Sequence, residues 1–507
     1  MKIQLTLTAV GALLAAALPC SLSAATLYVA LESTNPAAPF ATWETGATNI
    51  QDAVDAAKAG DTVLVTNGVY AVGNKSVEEG STWNRVTITN AIRLESVNGP
   101  SVTTIDGGRK VRCVYLGDDA VLIGFTLTNG ASGGAAGRSV KSSGRVVPKR
   151  GGDAPPPPGG GVWGGTLYDC TLAGNSAGYG GGAYSSRLFN CVLTRNEGGG
   201  AYLSSLHKCT LSGNSGTWGG GAGESTLFNC TLSDNSAWEG GGAYGSTLNN
   251  CTLNGNSAMF GGGAWGSTLY NCELTGNSAG LGGGTFAGTL YSCTVTGNHA
   301  SEDLDPRYPG QGGGAYSGRL YDSIVYYNTA ASGANYFAGS APFWAVVVLN
   351  YCCTTPLPTD GIGNITGPPL FMDLAAGDYR LWEGSPCIDA GADLRLLNVG
   401  YDCEPTDFLG NTRFIDGNFD GKVAWDIGAY EFDSFRPPRF NVQPQLTADG
   451  WKVTVTGAPN KWVHLQRSGN LKDWEDIWSG WMGTEGAQQC NDSDMERKVM
   501  FYRAVVP

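Results

Sequence analysis

The chain has 507 residues, a net charge of −13 and only 15% charged residues. A sparsely charged, acidic chain is a poor partner for nucleic acid or for an anionic membrane surface, so we expect neither as a ligand. The length fits two to four compact domains or one long solenoid.

The N-terminus has the three parts of a secretory leader. Lys2 supplies the charged start, residues 5–18 are apolar, and residues 23–25 form a small-residue cleavage site. No later run is long and apolar enough to span a bilayer. We therefore predict a signal peptide over 1–25 and a monomeric exported protein, secreted or at the cell surface, with no transmembrane span after cleavage.

An amphipathic stretch follows the first strand-like segment. Within residues 49–58, Ile50, Val54 and Ala57 share one stripe, and Gly60 ends the pattern. Stacked repeats expose their core at each end and need a cap. We predict a short helix that covers the N-terminal end of the core.

Residues 159–316 repeat one phrase, usually at a period of 21 residues, with three landmarks. The triple glycines begin at Gly159, Gly180, Gly198, Gly219, Gly240, Gly261, Gly282 and Gly312. The cysteines are Cys170, Cys191, Cys209, Cys230, Cys251, Cys272 and Cys293, and the asparagines are Asn175, Asn196, Asn214, Asn235, Asn256, Asn277 and Asn298. Self-similarity at such a period indicates a stacked solenoid.

The residues within one repeat favour strands over helices. In residues 240–260 no apolar i, i+3, i+4 stripe persists. Cys251 and Leu253 are two residues apart, so their side chains lie on the same face of a strand, whereas Leu248 would lie on the opposite face. For all three to point inward the chain must bend at Asn250, a residue type that tolerates the left-handed conformation. Three short strands and three corners predict one coil of a parallel β-helix, with the next coil about 4.8 Å above it.

In-register stacking converts consensus positions into ladders. We predict asparagine amide ladders at two corners and a file of packed thiols in the core, because parallel side chains in register suit a disulfide poorly. Of the adjacent pair Cys352 and Cys353, one should point inward and one outward. The better disulfide candidates are Cys387 and Cys403, in the loop-rich end of an exported protein.

Length variation falls at one corner of the coil. The insertions 131–158 (basic) and 299–311 (acidic) both lie between the repeat asparagine and the triple glycine, and insertions on one edge often mark a binding face. We predict an elongated groove between them, with an aromatic platform for a glycan: Tyr179, Trp218, Trp238, Phe260, and a second column of Trp163, Tyr184, Tyr244 and Trp265. The alternative is that these rings stabilise the sheet or lie under loops.

One segment offers calcium ligands. Asp416, Asn418 and Asp420 precede Gly421, as in the first half of a Ca²⁺ loop, but Ile427 stands where such a loop has a glutamate. The alternatives are a structural calcium ion, the one cofactor the sequence suggests, or a hydrogen-bonded Asx turn.

The 21-residue phrase resembles right-handed, single-stranded parallel β-helices of the pectate-lyase-like superfamily, with repeats similar to those of polymorphic outer-membrane proteins. Residues 50–70 resemble the N-terminal cap and first coil of that superfamily. Residues 385–391 (SPCIDAG) and 426–431 (DIGAYE) resemble the closing segment of secreted bacterial relatives. The resemblance implies an all-β fold and a protein that is secreted by a bacterium or lies at its cell surface. Members of the superfamily include lyases, hydrolases, epimerases, adhesins and inert stalks.

The domain organisation follows from these segments. After residue 440 apolar and polar residues alternate with a period of two, which indicates a small antiparallel, sandwich-like module. The predicted units are a signal peptide (1–25), a parallel β-helix (26–432, with 131–158 a disordered insertion loop), a linker (433–439) and a C-terminal β module (440–507).

No catalytic residue can be assigned from the sequence. Inverting hydrolases need paired carboxylic acids, and lyases of this superfamily need carboxylates for Ca²⁺ and a basic residue. The one charged neighbourhood surrounds the shortened coil, and alignment places its members in different columns: Arg187, Arg195, Glu197, His207, Lys208 and Glu224. We predict a non-catalytic interaction protein that binds a polysaccharide or cell-surface glycan, or mediates adhesion; the alternatives are a polysaccharide lyase or glycoside hydrolase, and a structural spacer.

Overall fold

The computed structural model describes the following residues: 24–77, 82–132, 140–142, 145–147, 157–304, 307–337, 347–397, 399–401, 403–418, 420–432, 445–447, 450–456, 462–469, 472–482, 487–492 and 501–505. Most of the predicted signal peptide (1–25), most of the loop 131–158 and all of the predicted linker (433–439) lie outside these ranges.

The repeats form a right-handed parallel β-helix, as predicted. Sheet A has 21 strands: Thr26–Val29, Thr62–Val65, Asn84–Ile88, Arg93–Ser96, Arg112–Leu116, Val121–Ile123, Val162–Trp163, Thr166–Tyr168, Ala183–Tyr184, Arg187–Phe189, Ala201–Tyr202, Ser205–His207, Ala222–Gly223, Thr226–Phe228, Ala243–Tyr244, Thr247–Asn249, Ala264–Trp265, Thr268–Tyr270, Thr285–Tyr291, Ala315–Tyr321 and Val347–Asn350. Sheet B has 12: Gly68–Tyr70, Thr103–Asp106, Thr126–Thr128, Thr171–Ala173, Val192–Thr194, Thr210–Ser212, Thr231–Ser233, Thr252–Asn254, Glu273–Thr275, Thr294–Thr296, Ile324–Tyr326 and Cys353–Thr354. Sheet C has six: Ser215–Trp218, Ser236–Glu239, Ser257–Phe260, Ser278–Leu281, His299–Ala300 and Thr329–Ala330.

The predicted corners and ladders explain the register. Asn250 adopts φ 51° at its bend, as predicted. At the other corner each asparagine amide bonds to the next, and Asn256 Nδ2 donates to Asn277 Oδ1 at 2.9 Å. The second predicted amide ladder does not run through the described coils, because Asp169, Lys208 and Ser292 interrupt the asparagines of its column, and the members share only the left-handed φ.

Close contact between coils requires the triple glycines. A Cβ on Gly242 would come within 2.6 Å of the Gly263 carbonyl oxygen in the next coil. The predicted file of thiols is confirmed, and neighbouring cysteines interact at each step: the backbone N–H of Cys191 donates to Cys209 Sγ at 3.4 Å. Each repeat therefore packs directly on the same residues of the next.

The predicted cap is the helix Ile50–Ala56. Asn49 caps it by accepting a hydrogen bond from the Asp52 N–H at 3.0 Å, and Ile50 and Val54 join the solenoid core. Two 3₁₀ turns, Glu302–Leu304 and Leu394–Leu396, are the other helical elements in the described ranges. No helix in those ranges has the length and apolar character needed to cross a membrane.

Residues 387–432, here called the closing segment, fold back along the last coils. The Tyr430 hydroxyl donates to Glu273 Oε1 at 2.6 Å, and Arg413 Nη2 donates to Asn271 Oδ1 at 3.1 Å. Leu394 and Trp425 of the same segment pack against the aromatic column Tyr270, Tyr291 and Tyr321. A short antiparallel pair, Phe371–Asp373 and Asp378–Leu381, precedes the segment.

The remaining strands are antiparallel. Val140–Ser142 pairs with Arg145–Val147 in the insertion loop. The C-terminal module is antiparallel, as predicted. Its described strands form two three-stranded sheets: Gln445–Thr447, Gly450–Thr456 and Ala487–Asp492, and Glu475–Trp481, Trp462–Ser468 and Phe501–Val505. Its core includes Val453, Val463, Leu465 and Cys490.

The structure does not bring together Cys387 and Cys403, the predicted disulfide pair. The two residues occupy different packing clusters. Cys387 is buried beside Cys353, whereas Cys403 Sγ lies 2.9 Å from Asn249 Oδ1. The closing segment carries the two cysteines to different coils, which a sequence without a fold could not reveal.

Candidate glycan-binding face

The predicted aromatic residues form one continuous band on the outer face of the coils. After each triple glycine a ring stacks on the ring of the next coil. Tyr184 and Tyr202 are 6.1 Å apart with an interplanar angle of 3°, and Tyr244 and Trp265 are 4.7 Å apart at 5°. Such pairs stabilise the sheet as well as exposing aromatic surface.

The ring geometry differs from the predicted flat platform. Rings stacked parallel along the solenoid turn their faces towards one another, so they present mainly their edges to solvent. Trp163 is an exception, because its plane lies at 84° to that of Tyr184. One of its faces is occupied by the guanidinium of Arg112, which lies 4.9 Å from the ring centroid.

The two predicted columns contact each other across the missing ring at Gly223. Tyr179 and Trp218 stack 5.7 Å apart at 7°. Tyr179 also lies 5.0 Å from Tyr202, and Trp218 lies 6.5 Å from Tyr244. The columns that the sequence kept separate therefore form a single band.

The loops cover part of the predicted floor. The Tyr308 ring packs edge-on against Phe260 at 4.8 Å, and both join Leu281, Tyr316 and Phe337 in a small apolar cluster. Strand Arg145–Val147 approaches the strand Ser236–Glu239, which contains Trp238. The described parts of the insertions, Tyr308 and the strand Arg145–Val147, therefore lie near Phe260 and the strand of Trp238, whereas the insertions were predicted to wall the ends of the groove.

A polar groove of about 390 Å³ lies beside this band, at the bend that follows the stacked rings. Its charged residues are Asp118, Arg187 and Glu224, and the remaining lining is mainly serine and threonine: Gly165, Ser185, Ser186, Leu203, Ser204, Ser205 and Thr226. A saccharide offers many hydroxyl groups, and such a surface supplies donors and acceptors for them.

The bend that forms one side of the groove has unusual residues. Ser185, Leu203 and Glu224 adopt φ values of 52°, 51° and 44°, whereas Gly245 and Gly266 occupy the same bend in later coils. Leu203 is 46% exposed. Ala287 and Ser317 also adopt positive φ at this bend in later coils, but bulky residues rarely do so. Leu203 and Glu224 are therefore the sequence signal that could have revealed the groove.

Glu224 connects the groove to the aromatic band. Burial and a hydrogen bond to the Glu224 carboxylate raise the pKa of Tyr202. Burial and the charge of Glu224 also raise the pKa of Tyr179. Both phenols are therefore protonated at neutral pH, and the Tyr202 hydroxyl is directed at the Glu224 carboxylate.

A second stack of rings borders the other side of the groove. Phe189, His207 and Phe228 lie two residues beyond Arg187, Ser205 and Thr226 in successive coils, with ring centroids 5.0 Å and 4.8 Å apart. Further along the same column the closing segment covers Tyr270 and Tyr291.

The charged neighbourhood of the shortened coil separates in the structure. Arg187 and Glu224 both line the groove, and His207 stacks between two phenylalanines beside it. Lys208 and Arg195 occupy exposed bends with positive φ. Glu197 accepts a hydrogen bond from Ser176 Oγ at 3.4 Å near the insertion corner.

The candidate calcium loop forms an Asx turn. Asp416 Oδ2 accepts from the Gly421 N–H at 3.0 Å, and Asn418 Oδ1 accepts from the Asp420 N–H at 2.8 Å. The described residues contain no group of three or more His, Cys, Asp or Glu side chains arranged to hold a metal. Calcium binding by Asp416, Asn418 and Asp420 stays a prediction.

No known protein-family model matches the sequence, and no curated protein matches it. Among solved structures the chain is similar to a pectate lyase, with 11% identity, a TM-score of 0.37, and coverage of 81% of this chain and 97% of that one. It is similar to a pectin methylesterase from Erwinia chrysanthemi (12%, TM-score 0.24, 68% and 94%). It is also similar to a pentasaccharide-bound tailspike mutant from E. coli bacteriophage HK620 (10%, TM-score 0.28, 95% and 92%). At these values the likenesses assign no activity to this chain.

Proposed function

We propose that this is an exported protein that binds a glycan chain along the polar groove and the adjoining aromatic band. The observation that supports this most is the juxtaposition of a hydroxyl-lined groove, holding Asp118, Arg187 and Glu224, with aromatic stacks on both sides. Polar side chains that fix orientation beside aromatic surface are typical of small-molecule and saccharide sites.

The charges of the groove favour a neutral glycan. Its lining carries two carboxylates, Asp118 and Glu224, and one guanidinium, Arg187, on a chain with net charge −13. A polyuronate would meet like charges and pay desolvation on both sides. A neutral polysaccharide would instead exchange hydrogen bonds with Ser185, Ser205 and Thr226.

The same juxtaposition favours a second candidate, a polysaccharide lyase or hydrolase. Arg187 is the type of base that a lyase needs, and Asp118 and Glu224 are a possible carboxyl pair. Their convergence in one groove is the specific observation for this candidate. A third candidate, a spacer, needs neither groove nor band.

The test measures binding and products together. Purified protein is titrated with xyloglucan, polygalacturonate and chitosan, and each mixture is assayed for new reducing ends and for unsaturated products. We expect saturable binding of the neutral polymer and no product. Product release would establish the enzyme, and absence of binding to all three would support the spacer.

Matched variants locate the site. Thr226→Ala lies in the groove and Thr247→Ala occupies the same column one coil beyond it. We expect Arg187→Ala and Thr226→Ala to weaken binding and Thr247→Ala to leave it unchanged. The double variant Trp218→Ala/Trp238→Ala tests the predicted floor separately, and its failure to change binding would restrict the site to the groove.

A further inference from the structure

Two neighbouring cysteines at the end of the solenoid have different surroundings. Cys352 continues the file of thiols in the main core, and its Sγ lies 3.4 Å from the Leu320 carbonyl oxygen. Cys353 points the other way, as predicted for one of the pair, yet it is also fully buried. The closing segment covers it, in a separate cluster that contains Cys387, Ile427 and Phe432.

Cys353 and Cys387 pack in this one cluster, where burial and the neighbouring Cys353 thiol raise the pKa of Cys387. Cys353 Sγ also lies 3.1 Å from the Gly367 carbonyl oxygen. A Cβ on Gly367 would come within 2.9 Å of Pro386, the residue before Cys387. Three separate parts of the chain therefore converge here, and Cys387 is held in place because its carbonyl accepts from the Ile427 N–H at 2.9 Å.

This pair differs from the thiols of the main file. Neighbours such as Cys191 and Cys209 lie on parallel coils with side chains in the same direction, so their Cβ atoms stay about 4.8 Å apart. A disulfide needs a Cβ separation of about 3.5–4.5 Å and a dihedral near 90°. Cys353 and Cys387 instead lie on two elements that face each other. Cys353 lies on the outer side of a coil, and Cys387 lies on the closing segment that covers this side.

We propose that Cys353 and Cys387 form a disulfide that fastens the closing segment to the last coil. In an oxidising compartment a low-molecular-weight or protein disulfide would accept the electrons: the two thiols lose two protons and two electrons, the Sγ–Sγ bond forms, and the oxidant is reduced to two thiols. This inference requires export but is independent of glycan binding. It replaces the predicted pairing of Cys387 with Cys403.

The test counts thiols in the full chain after refolding with glutathione disulfide. Denatured protein is alkylated with a maleimide mass tag, with and without prior reduction, and its intact mass is measured. We expect two fewer tags without reduction, and peptide mapping should identify one cross-link between the peptides that contain Cys353 and Cys387. Equal tag numbers, or a cross-link involving any other cysteine, would overturn the proposal.

Variants provide a second measurement. Cys353→Ser and Cys387→Ser should each abolish the cross-link, whereas Cys403→Ser should leave it intact. In the wild type, reduction should raise hydrogen exchange in residues 420–432 while exchange in coils 201–260 stays unchanged. The mass map of the wild type decides the question even where a variant does not fold.

Discussion

The ring of Tyr202 lies over Gly223, where a Cβ would come within 2.6 Å of Tyr202 Cδ2. The repeat would otherwise place an aromatic residue at this position, between Tyr202 and Tyr244 in the stacked column. The missing side chain admits Trp218 to the column and leaves Tyr202 beside Glu224.

We predict that Gly223→Ala weakens polysaccharide binding by about tenfold, or about 1.4 kcal/mol. The added Cβ must displace the Tyr202 ring and thereby separate its hydroxyl from Glu224. The melting temperature should change little, because the backbone at 223 has no positive φ and ring movement relieves the contact. Titration with the neutral polymer and a thermal melt check both parts; unchanged affinity would contradict the role of Tyr202.

The asparagine ladder should be the most sensitive part of the repeat. Asn256 Oδ1 accepts from the backbone and side chain of Asn235 at 3.0 Å and 2.9 Å, and its Nδ2 donates to the Leu232 carbonyl at 2.9 Å. Asn256→Ala leaves these buried groups unpaired, at about 1–3 kcal/mol for each. We expect a loss of about 4 kcal/mol in a denaturant titration. The exposed Asn254→Ala, in the same coil, is the control and should be nearly neutral.

The closing segment should loosen as pH rises. Burial raises the pKa of Asp322 and of Asp426 from 3.8 to about 7. A raised folded-state pKa means that the stabilising, protonated form is fully present below about pH 4 and is lost as pH rises to about 7. The free energy of unfolding falls by about 4 kcal/mol for each carboxyl that ionises. The buried cation Arg413 faces both carboxyls, and the acids Glu431, Asp407 and Asp389 lie in the same surroundings.

Thermal melts between pH 4 and 8 measure this effect, with stability expected to fall through that window and level off above it. Asp322→Asn mimics the protonated acid, because Oδ1 can still accept from the Ala392 N–H. The variant should show a shallower pH dependence than the wild type. An identical slope would show that Asp322 does not titrate in this range.

Thiol reactivity should be confined to one site in the native protein. Of the cysteines that the structure describes, Cys403 alone is partly exposed. The others are buried, and burial raises the pKa of Cys113 to about 12, which suppresses its reactive thiolate. Brief maleimide labelling of native protein should modify Cys403, and Cys403→Ser should abolish it. Rapid labelling of Cys230 or Cys251 would mean that the coils open.

Much of the solenoid could be predicted from local patterns. Cys251 and Leu253 point inward, the chain bends at Asn250, and the absence of a side chain at Gly242 leaves room for the next coil. These features follow from in-register stacking, in which contacts between coils join equivalent residues of adjacent repeats. The cap helix was predictable for a similar reason, since Ile50 and Val54 share a helical stripe and Asn49 is a strong N-cap.

Only the tertiary structure decided what lies beside what where the chain departs from its period. The predicted aromatic residues were identified correctly as outward columns, but their stacked orientation and the cover supplied by Tyr308 depend on the packing of neighbouring coils. The groove of Asp118, Arg187 and Glu224 joins residues from different positions of different coils, and Cys387 meets Cys353 because the closing segment folds back. A periodic sequence specifies contacts between equivalent positions, whereas contacts between unlike positions depend on the path of the whole chain.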